Sequence, residues 1–505
     1  MWKNLFAAKP LSLIMEEMNT GKRLSRVLGP WQLAGIGIGG IIGTGIFVLT
    51  GVAAHDKAGP ALILSFVFAG IACIFAALCY AEFAAMVPVA GSAYTYAYAT
   101  LGELFAWIIG WDLILEYTVA SAAVAHGWSH YFQDFISIFG LSIPHALTNA
   151  PFDFSPTLGR LLPTGTVCDF PAIVITFIIM GILIVGVKES ASFNASMVFT
   201  KLVVVLFVIC VGALYVKPHN WIPFAPYGYT GISFFGKTIL GQTGASGEPL
   251  GVFAGAAMIF FAYIGFDAVS TQAEEAINPQ KSVPFGIITS LIVCTVLYIA
   301  VTAVLTGMIP YKQINIDAPI SEAFKQVGLP WAQGIIALGA LAGITSVLLV
   351  MMLSQPRVFL AMARDGLLPR KFFAAIHDKF HTPYKATILT GIVVAVMSAL
   401  IPLRILAELV NIGTLLAFVI VCAAVLIMRK THPHAARPFL CPLVPAVPIL
   451  GIAFCLLLMF SLPAENWWRL IIWLLIGLVI YFFYSRHNSV LAEERRRIAE
   501  RPDPA

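Results

Sequence analysis

Gly35-Ile36-Gly37-Ile38-Gly39-Gly40-Ile41-Ile42-Gly43-Thr44-Gly45-Ile46-Phe47 is apolar enough to cross a membrane and too rich in glycine to stay one continuous helix. Glycine at 35, 37, 39, 40, 43 and 45 loosens the backbone. At mid-membrane an unpaired amide or carbonyl costs several kcal/mol, so a break survives only where the freed groups are buried in protein or face a polar cavity. A second run, Ala256-Ala257-Met258-Ile259-Phe260-Phe261-Ala262-Tyr263-Ile264-Gly265-Phe266-Asp267, carries its own glycine and a carboxylate. Two interrupted helices in corresponding halves of a membrane chain point to a binding site between them.

The rest of the chain supports a polytopic reading. Of its 505 residues 59% are hydrophobic and 11% charged, against about 25% charged in soluble domains. Runs of roughly 20 apolar residues give twelve candidate spans, near 31–54, 61–87, 101–132, 171–187, 193–216, 253–275, 284–309, 331–355, 384–401, 405–428, 444–462 and 467–484. No soluble domain of any size remains. With the N-terminus inside, 21 Lys and Arg fall on the inner side and 8 on the outer, leaving Lys201 within a span. That asymmetry predicts both termini in the cytoplasm, and the basic runs need no nucleic-acid explanation. Residues 1–30 read as a retained cytoplasmic segment and 486–505 as a solvated tail. The eight cysteines form no CxxC pair and read as small hydrophobes in packed helices.

The first five spans and the next five each open with a broken helix. An odd number of spans per half makes the second half enter the membrane in the opposite sense, which is the inverted-repeat layout. The expected architecture is an all-α membrane protein with two inverted five-helix repeats over 31–428 and two further helices over 429–485. Loops near 133–170 and 217–252 are rich in Pro, Gly, Ser and Thr, and Gly241 to Gly247 reads as a flexible insertion.

The Gly43-Thr44-Gly45 break, the loop Pro88-Val89-Ala90-Gly91-Ser92-Ala93-Tyr94-Thr95-Tyr96, the run Phe260 to Asp267, and Glu274-Glu275 followed by Asn278-Pro279 occur in one order. Together they resemble the amino acid–polyamine–organocation superfamily, and within it bacterial relatives of the cationic amino acid transporters. The resemblance covers about residues 25 to 485. It implies the inverted-repeat fold and an amino acid held at the breaks of spans one and six. The physics agrees with this. The outer half of span one begins near Gly45 and aims a positive helix end at the break, so amides of Gly43, Thr44 and Gly45 suit a carboxylate. Carbonyls of Ile41, Phe261, Ala262 and Ile264 suit an ammonium.

Polar residues inside spans carry the remaining expectations. A charge at a span centre costs about 2.5–3.5 kcal/mol on insertion scales, yet Lys201 sits in Phe199-Thr200-Lys201-Leu202-Val203-Val204. The resemblance puts this lysine where sodium-coupled relatives hold a cation. It would then replace sodium and exchange a proton; the alternative is a fixed charge tying span five to span-one carbonyls. Glu116 and Asp112 share a helix face. Either can be protonated, solvated or paired with Lys201. Glu116 is read equally as a proton- or amine-linked group and as a structural hydrogen bond, Asp112 as structural. Asp267 either caps the inner half-helix or joins a proton path, with capping favoured. Met351 falls, by the resemblance, near the side-chain end of the pocket, and Phe261 is either an outer gate or packing. Glu274 and Glu275 pair with the basic segment after span eight as an inside gate, or form a solvated surface pair. His126 and His130 are spaced i, i+4, but no third ligand at a zinc-like spacing accompanies them, so no metal is expected.

No GxSxG, HExxH or P-loop pattern supports an enzyme. The expectation is a secondary-active permease of a bacterial inner membrane that moves a small neutral amino acid such as alanine. Its coupling ion would be the proton, with no cofactor and no sodium. A cationic amino acid or polyamine exchanger and a non-transporting sensor are the alternatives. Membrane lipid is the expected surrounding, and a small accessory membrane peptide is left open.

Overall fold

Helix starts in this chain follow local chemistry. Proline, whose missing N–H costs nothing in a first turn, stands at or next to the start of several helices. The computed structural model describes residues 7–10, 26–89, 91–155, 160–244, 247–316 and 318–493. Most of the segment 1–30, Ala90, Ala245, Ser246 and the tail beyond 493 lie outside the described residues.

The principal helices, in chain order, are α1 (Pro30–Ile41), α2 (Leu62–Met86), α3 (Glu103–Ser137), α4 (Phe170–Val185), α5 (Val187–Ala213) and α6 (Val252–Ile259). They continue with α7 (Pro279–Met308), α8 (Pro330–Arg364), α9 (Tyr384–Leu400), α10 (Leu403–Thr431), α11 (Ala446–Phe460) and α12 (Ala464–Ile480). Among the described residues, eight helical stretches are long and apolar enough to cross a membrane. The first runs from Pro30 to Met86, while α4, α9 and α11 are shorter apolar helices. The stretches containing α3, α6 and α8 are the most buried, and those of α5 and α12 the least. On α12, Trp468, Ile472, Leu475 and Ile476 face outward, as a lipid-facing surface requires.

Two differences from the sequence reading concern element type and element length. The chain is not helical throughout, because antiparallel two-stranded pairs form in the loops: Phe152–Ser155 with Arg160–Pro163, and Ile232–Phe234 with Lys237–Leu240. Within the stretch read as a flexible insertion, Gln242–Thr243 pairs with Pro249–Leu250. The loop is also tied down, since Ser233 Oγ donates to Ser461 O at 2.9 Å and Gly251 N to Lys57 O at 2.8 Å. The second difference is the length of α8, which continues to Arg364. Arg357 and Arg364 therefore belong to that helix rather than to the loop after it. A buried guanidinium is sustained there by a carboxylate partner, described below.

Candidate functional site

Both glycine-bearing runs come undone, and they do so against each other. Helix α1 ends at Ile41, the next residue, Ile42, is extended with ψ 103°, and helical structure resumes at Gly45–Leu49. Beyond α6 the chain tightens into a 3-10 turn, Phe260–Tyr263, extends at Ile264 with ψ 134°, and turns at Gly265 with φ +122°. Only glycine adopts that φ without strain. A Cβ at Gly265 would stand 2.6 Å from the Gly40 carbonyl oxygen, and one at Gly45 would strike Ala262. Glycine at these two positions lets the backbones of the two breaks touch.

Beside the crossing is a small cavity of about 10 Å³, the room of roughly one water. It is lined by Gly40, Ile41, Thr44 and Gly45 of the first break, Phe261 and Ile264 of the second, and Ala120, Val124, Val347 and Met351 of α3 and α8. Of the residues expected from sequence, Ile41, Thr44, Gly45, Phe261, Ile264 and Met351 lie on this cavity. Gly43 instead abuts Val347, and Ala262 abuts Gly45. The sequence reading did not find Ala120, Val124 or Val347, because nothing in an apolar run tells a pocket wall from packing.

Hydrogen-bond capacity at the breaks is distributed unevenly. Tyr298 of α7 directs its hydroxyl at Ile41 O (2.6 Å) and Ala262 O (2.9 Å). One hydroxyl hydrogen cannot saturate two carbonyls, so acceptor capacity remains at the crossing. This tyrosine was also missed; its only signal was a phenol needing a partner within an apolar run. Thr44 Oγ1 is buried on the cavity with no partner among the described residues. It stands at the start of the outer half-helix, where backbone amides lack intrahelical acceptors.

Lys201 is fully buried. Its ammonium donates to Gly39 O and Ile42 O, both at 2.8 Å, and to Ser346 Oγ at 3.3 Å. Ser346 in turn donates toward Asn194 Oδ1 at 2.8 Å. Three acceptors match the three ammonium donors, and they bind α5 to the frayed end of α1 and to α8. The tie to span-one carbonyls is thus present, whereas pairing of Lys201 with Asp112 or Glu116 is not seen. All four carboxyl oxygens of those two acids are buried without a hydrogen-bond partner among the described residues. Glu116 lies one turn from the cavity-lining Ala120 on the same face of α3.

Asp267 does not cap the helix that follows it. Its own backbone is helical at φ −64°, so its side chain turns back toward the break. There Oδ2 accepts from Tyr117 OH (2.5 Å) and Oδ1 from Gly265 N (3.2 Å). The carboxylate thereby holds α3 to the turn at Gly265.

At the end of the molecule beyond this turn, Arg357 donates to Glu275 Oε1 through Nη2 (2.6 Å) and Nε (3.2 Å), with both side chains buried. Arg364 Nη1 meets Glu274 Oε1 at 3.0 Å. A third bridge, Lys9 to Asp365 at 2.6 Å, lies on the same side. At the opposite end of α3, His126 and His130 are joined by Asp169, a third group that spacing along the chain did not reveal.

Comparison with known proteins gives the family. A family model described as amino acid permease matches residues 28–482. The chain is 50% identical to the branched-chain amino acid permease BcaP and 48% identical to a methylthioribose transporter, both of Bacillus subtilis, over 97% of this chain and 99% of each relative. It is 32% identical to the vacuolar cationic amino acid transporter 4 of Arabidopsis thaliana, over 93% of both chains. Apolar membrane-length helices, two helix breaks in contact, and these matches along nearly the whole chain identify it as a multi-pass membrane transporter, not an enzyme, that belongs to the amino acid permease family of the amino acid–polyamine–organocation superfamily.

Proposed function

We propose that this permease is a proton-coupled carrier of small neutral aliphatic L-amino acids such as alanine, working by alternating access. The observation that carries the proposal is a small, almost wholly apolar cavity at the point where the two helix breaks touch, lined by residues of both breaks and by uncharged side chains of α3 and α8. The Thr44–Gly45 helix end suits the substrate carboxylate, and the carbonyls at Ile41, Phe261, Ala262 and Ile264 suit its ammonium. Ala120, Val124, Val347 and Met351 leave an uncharged niche for the side chain. An arginine or lysine side chain would lose its hydration there and meet no charged residue on the cavity wall, at a cost of several kcal/mol. A cavity of about 10 Å³ is a closed form, so loading requires the wall of α3 and α8 to part from the breaks.

The same reading takes the chain as twelve spans in two inverted five-helix repeats plus two helices, with both termini cytoplasmic. The Pro30–Met86 stretch has 57 residues, too many for a single passage of roughly 20. It turns at Gly59, where φ is +61°. Lys201 stands in for a coupling cation and Glu116 serves as a proton-linked group one turn from the cavity. The ion pairs of Glu274 and Glu275 close the inner side.

Uptake by proteoliposomes tests this, with alanine, leucine, arginine and methylthioribose offered in turn, with and without an inward proton gradient. Alanine accumulation that the gradient drives is the expected result. Preferred arginine uptake would support the cationic exchanger, to which the resemblance to cationic transporters leans. Binding without uptake would support a sensor.

A further inference from the structure

We propose that His126, His130 and Asp169 form a transition-metal site suited to Zn²⁺, on the side of the molecule opposite the Glu275–Arg357 pair. His126 and His130 are one turn apart on α3 and present their rings to the same side, with centroids 4.8 Å apart. Asp169 comes from the residue that caps α4. Its Oδ1 accepts from Ala172 N at 3.2 Å, which orients the carboxylate and leaves Oδ2 for another partner. That oxygen lies 2.8 Å from His126 Nδ1, yet the two atoms lack the alignment of a hydrogen bond. Both belong to side chains almost wholly buried. The two buried atoms thus form a close pair of ligand-capable groups with no hydrogen bond between them, into which a metal ion can be placed.

One donor atom from each of the three residues lies within 4.8 Å of the others. A tetrahedral zinc, with bonds of about 2.0–2.2 Å, sets its ligands about 3.4 Å apart. Binding therefore requires the His126–Asp169 pair to open from 2.8 Å and the half-buried His130 ring to turn toward it. Two imidazoles and a carboxylate are a borderline nitrogen–oxygen set. It favours zinc over calcium or magnesium, which want oxygen alone. The fourth position is left to water.

The site is coupled to the transport machinery by one residue in each case. Gly127, next to His126, packs against Thr44 of the span-one break. Trp128 Nε1 donates to Thr345 Oγ1 of α8 at 2.9 Å. A metal joining α3 to the start of α4, itself tied to α9 through Asp169 N and Ala399 O at 3.1 Å, restrains the wall that must move for loading. The restraint follows from the proposed alternating access; the metal site itself does not depend on it.

The experiment is equilibrium dialysis of the purified, untagged full chain against micromolar Zn²⁺, with metal content and thermal unfolding measured together. One tightly held zinc per chain is expected, with a rise in melting temperature. The His130→Ala variant, altered at a half-buried ring and thus tolerated by the fold, is expected to bind at least about tenfold more weakly and to lose that rise. Wild type that holds no stoichiometric zinc, or a His130→Ala variant that binds as well as wild type, would overturn the site. Uptake in proteoliposomes is expected to slow in wild type on adding Zn²⁺ and not in His130→Ala. Bound zinc with unaltered uptake would overturn the restraint while leaving the site.

Discussion

Glu275→Gln isolates the work done by the buried pair at the end of the molecule that the proposed topology makes cytoplasmic. The substitution keeps an oxygen acceptor for Arg357 Nη2 and Nε, now 2.6 and 3.2 Å from Glu275 Oε1, but removes the compensating charge. Arg357 is only 2% exposed, so its charge is left buried without a counter-ion. Removing one partner of such a pair costs about 3–5 kcal/mol; the retained hydrogen bonds put this case near the lower end, about 3 kcal/mol. An open inner side hydrates Arg357 and escapes that penalty. The equilibrium between closed and open forms therefore shifts by about a hundredfold, at about 1.4 kcal/mol per factor of ten. Ser354 reports on it, being fully buried about one turn before Arg357 on α8, with Thr271 Oγ1 donating to its hydroxyl at 3.2 Å. In a chain whose native cysteines are replaced, Ser354→Cys is labelled from the inner face by a water-soluble thiol reagent. The labelling rate should rise by tens of fold in Glu275→Gln and fall again when Glu275→Arg and Arg357→Glu are combined. A rate within twofold of the parent would refute the view that this pair holds the inner side shut.

Lys201→Met removes the donors to Gly39 O and Ile42 O and is expected to flatten the pH dependence of uptake; an unchanged profile would remove Lys201 from proton coupling. Met351→Ser shortens a side chain on the cavity wall and is expected to admit longer substrates, read as competition of leucine and arginine against alanine uptake. An unaltered competition series would clear Met351 from selectivity. Gly45→Leu places a side chain where Ala262 already sits and is expected to abolish uptake while the protein still inserts. Full activity would contradict recognition by touching backbones.

Much of the site was legible because membrane insertion makes certain residues expensive. Glycines clustered at 35–45, a glycine beside Asp267 and a lysine within a span each cost free energy in hydrocarbon. A sequence that carries them must recover that energy through contacts elsewhere in the fold. Thus the breaks, Thr44, Gly45, Phe261 and Lys201 could be named from order along the chain. The direction in which a side chain turns was not legible to the same degree. Asp267 fits the pattern of a helix cap, yet it bonds back to Gly265 N and to Tyr117. Arg357 looked like loop charge and proved to be a helix residue, because the carboxylate that sustains its burial lies 82 positions away.

Composition and order alone determined that the chain lives in a membrane, that two of its helices are interrupted, and that ionisable residues lie within its spans. Those properties arise from local backbone cost and transfer free energy, which each stretch carries by itself. Which groups complete the site was decided by tertiary packing alone. Tyr298 over Ile41 and Ala262, Val347 and Ala120 on the cavity wall, and Asp169 beside His126 come from separate helices. Hydrogen bonds and apolar contacts act over a few ångströms of space, and no spacing along the chain records which helices that space brings together.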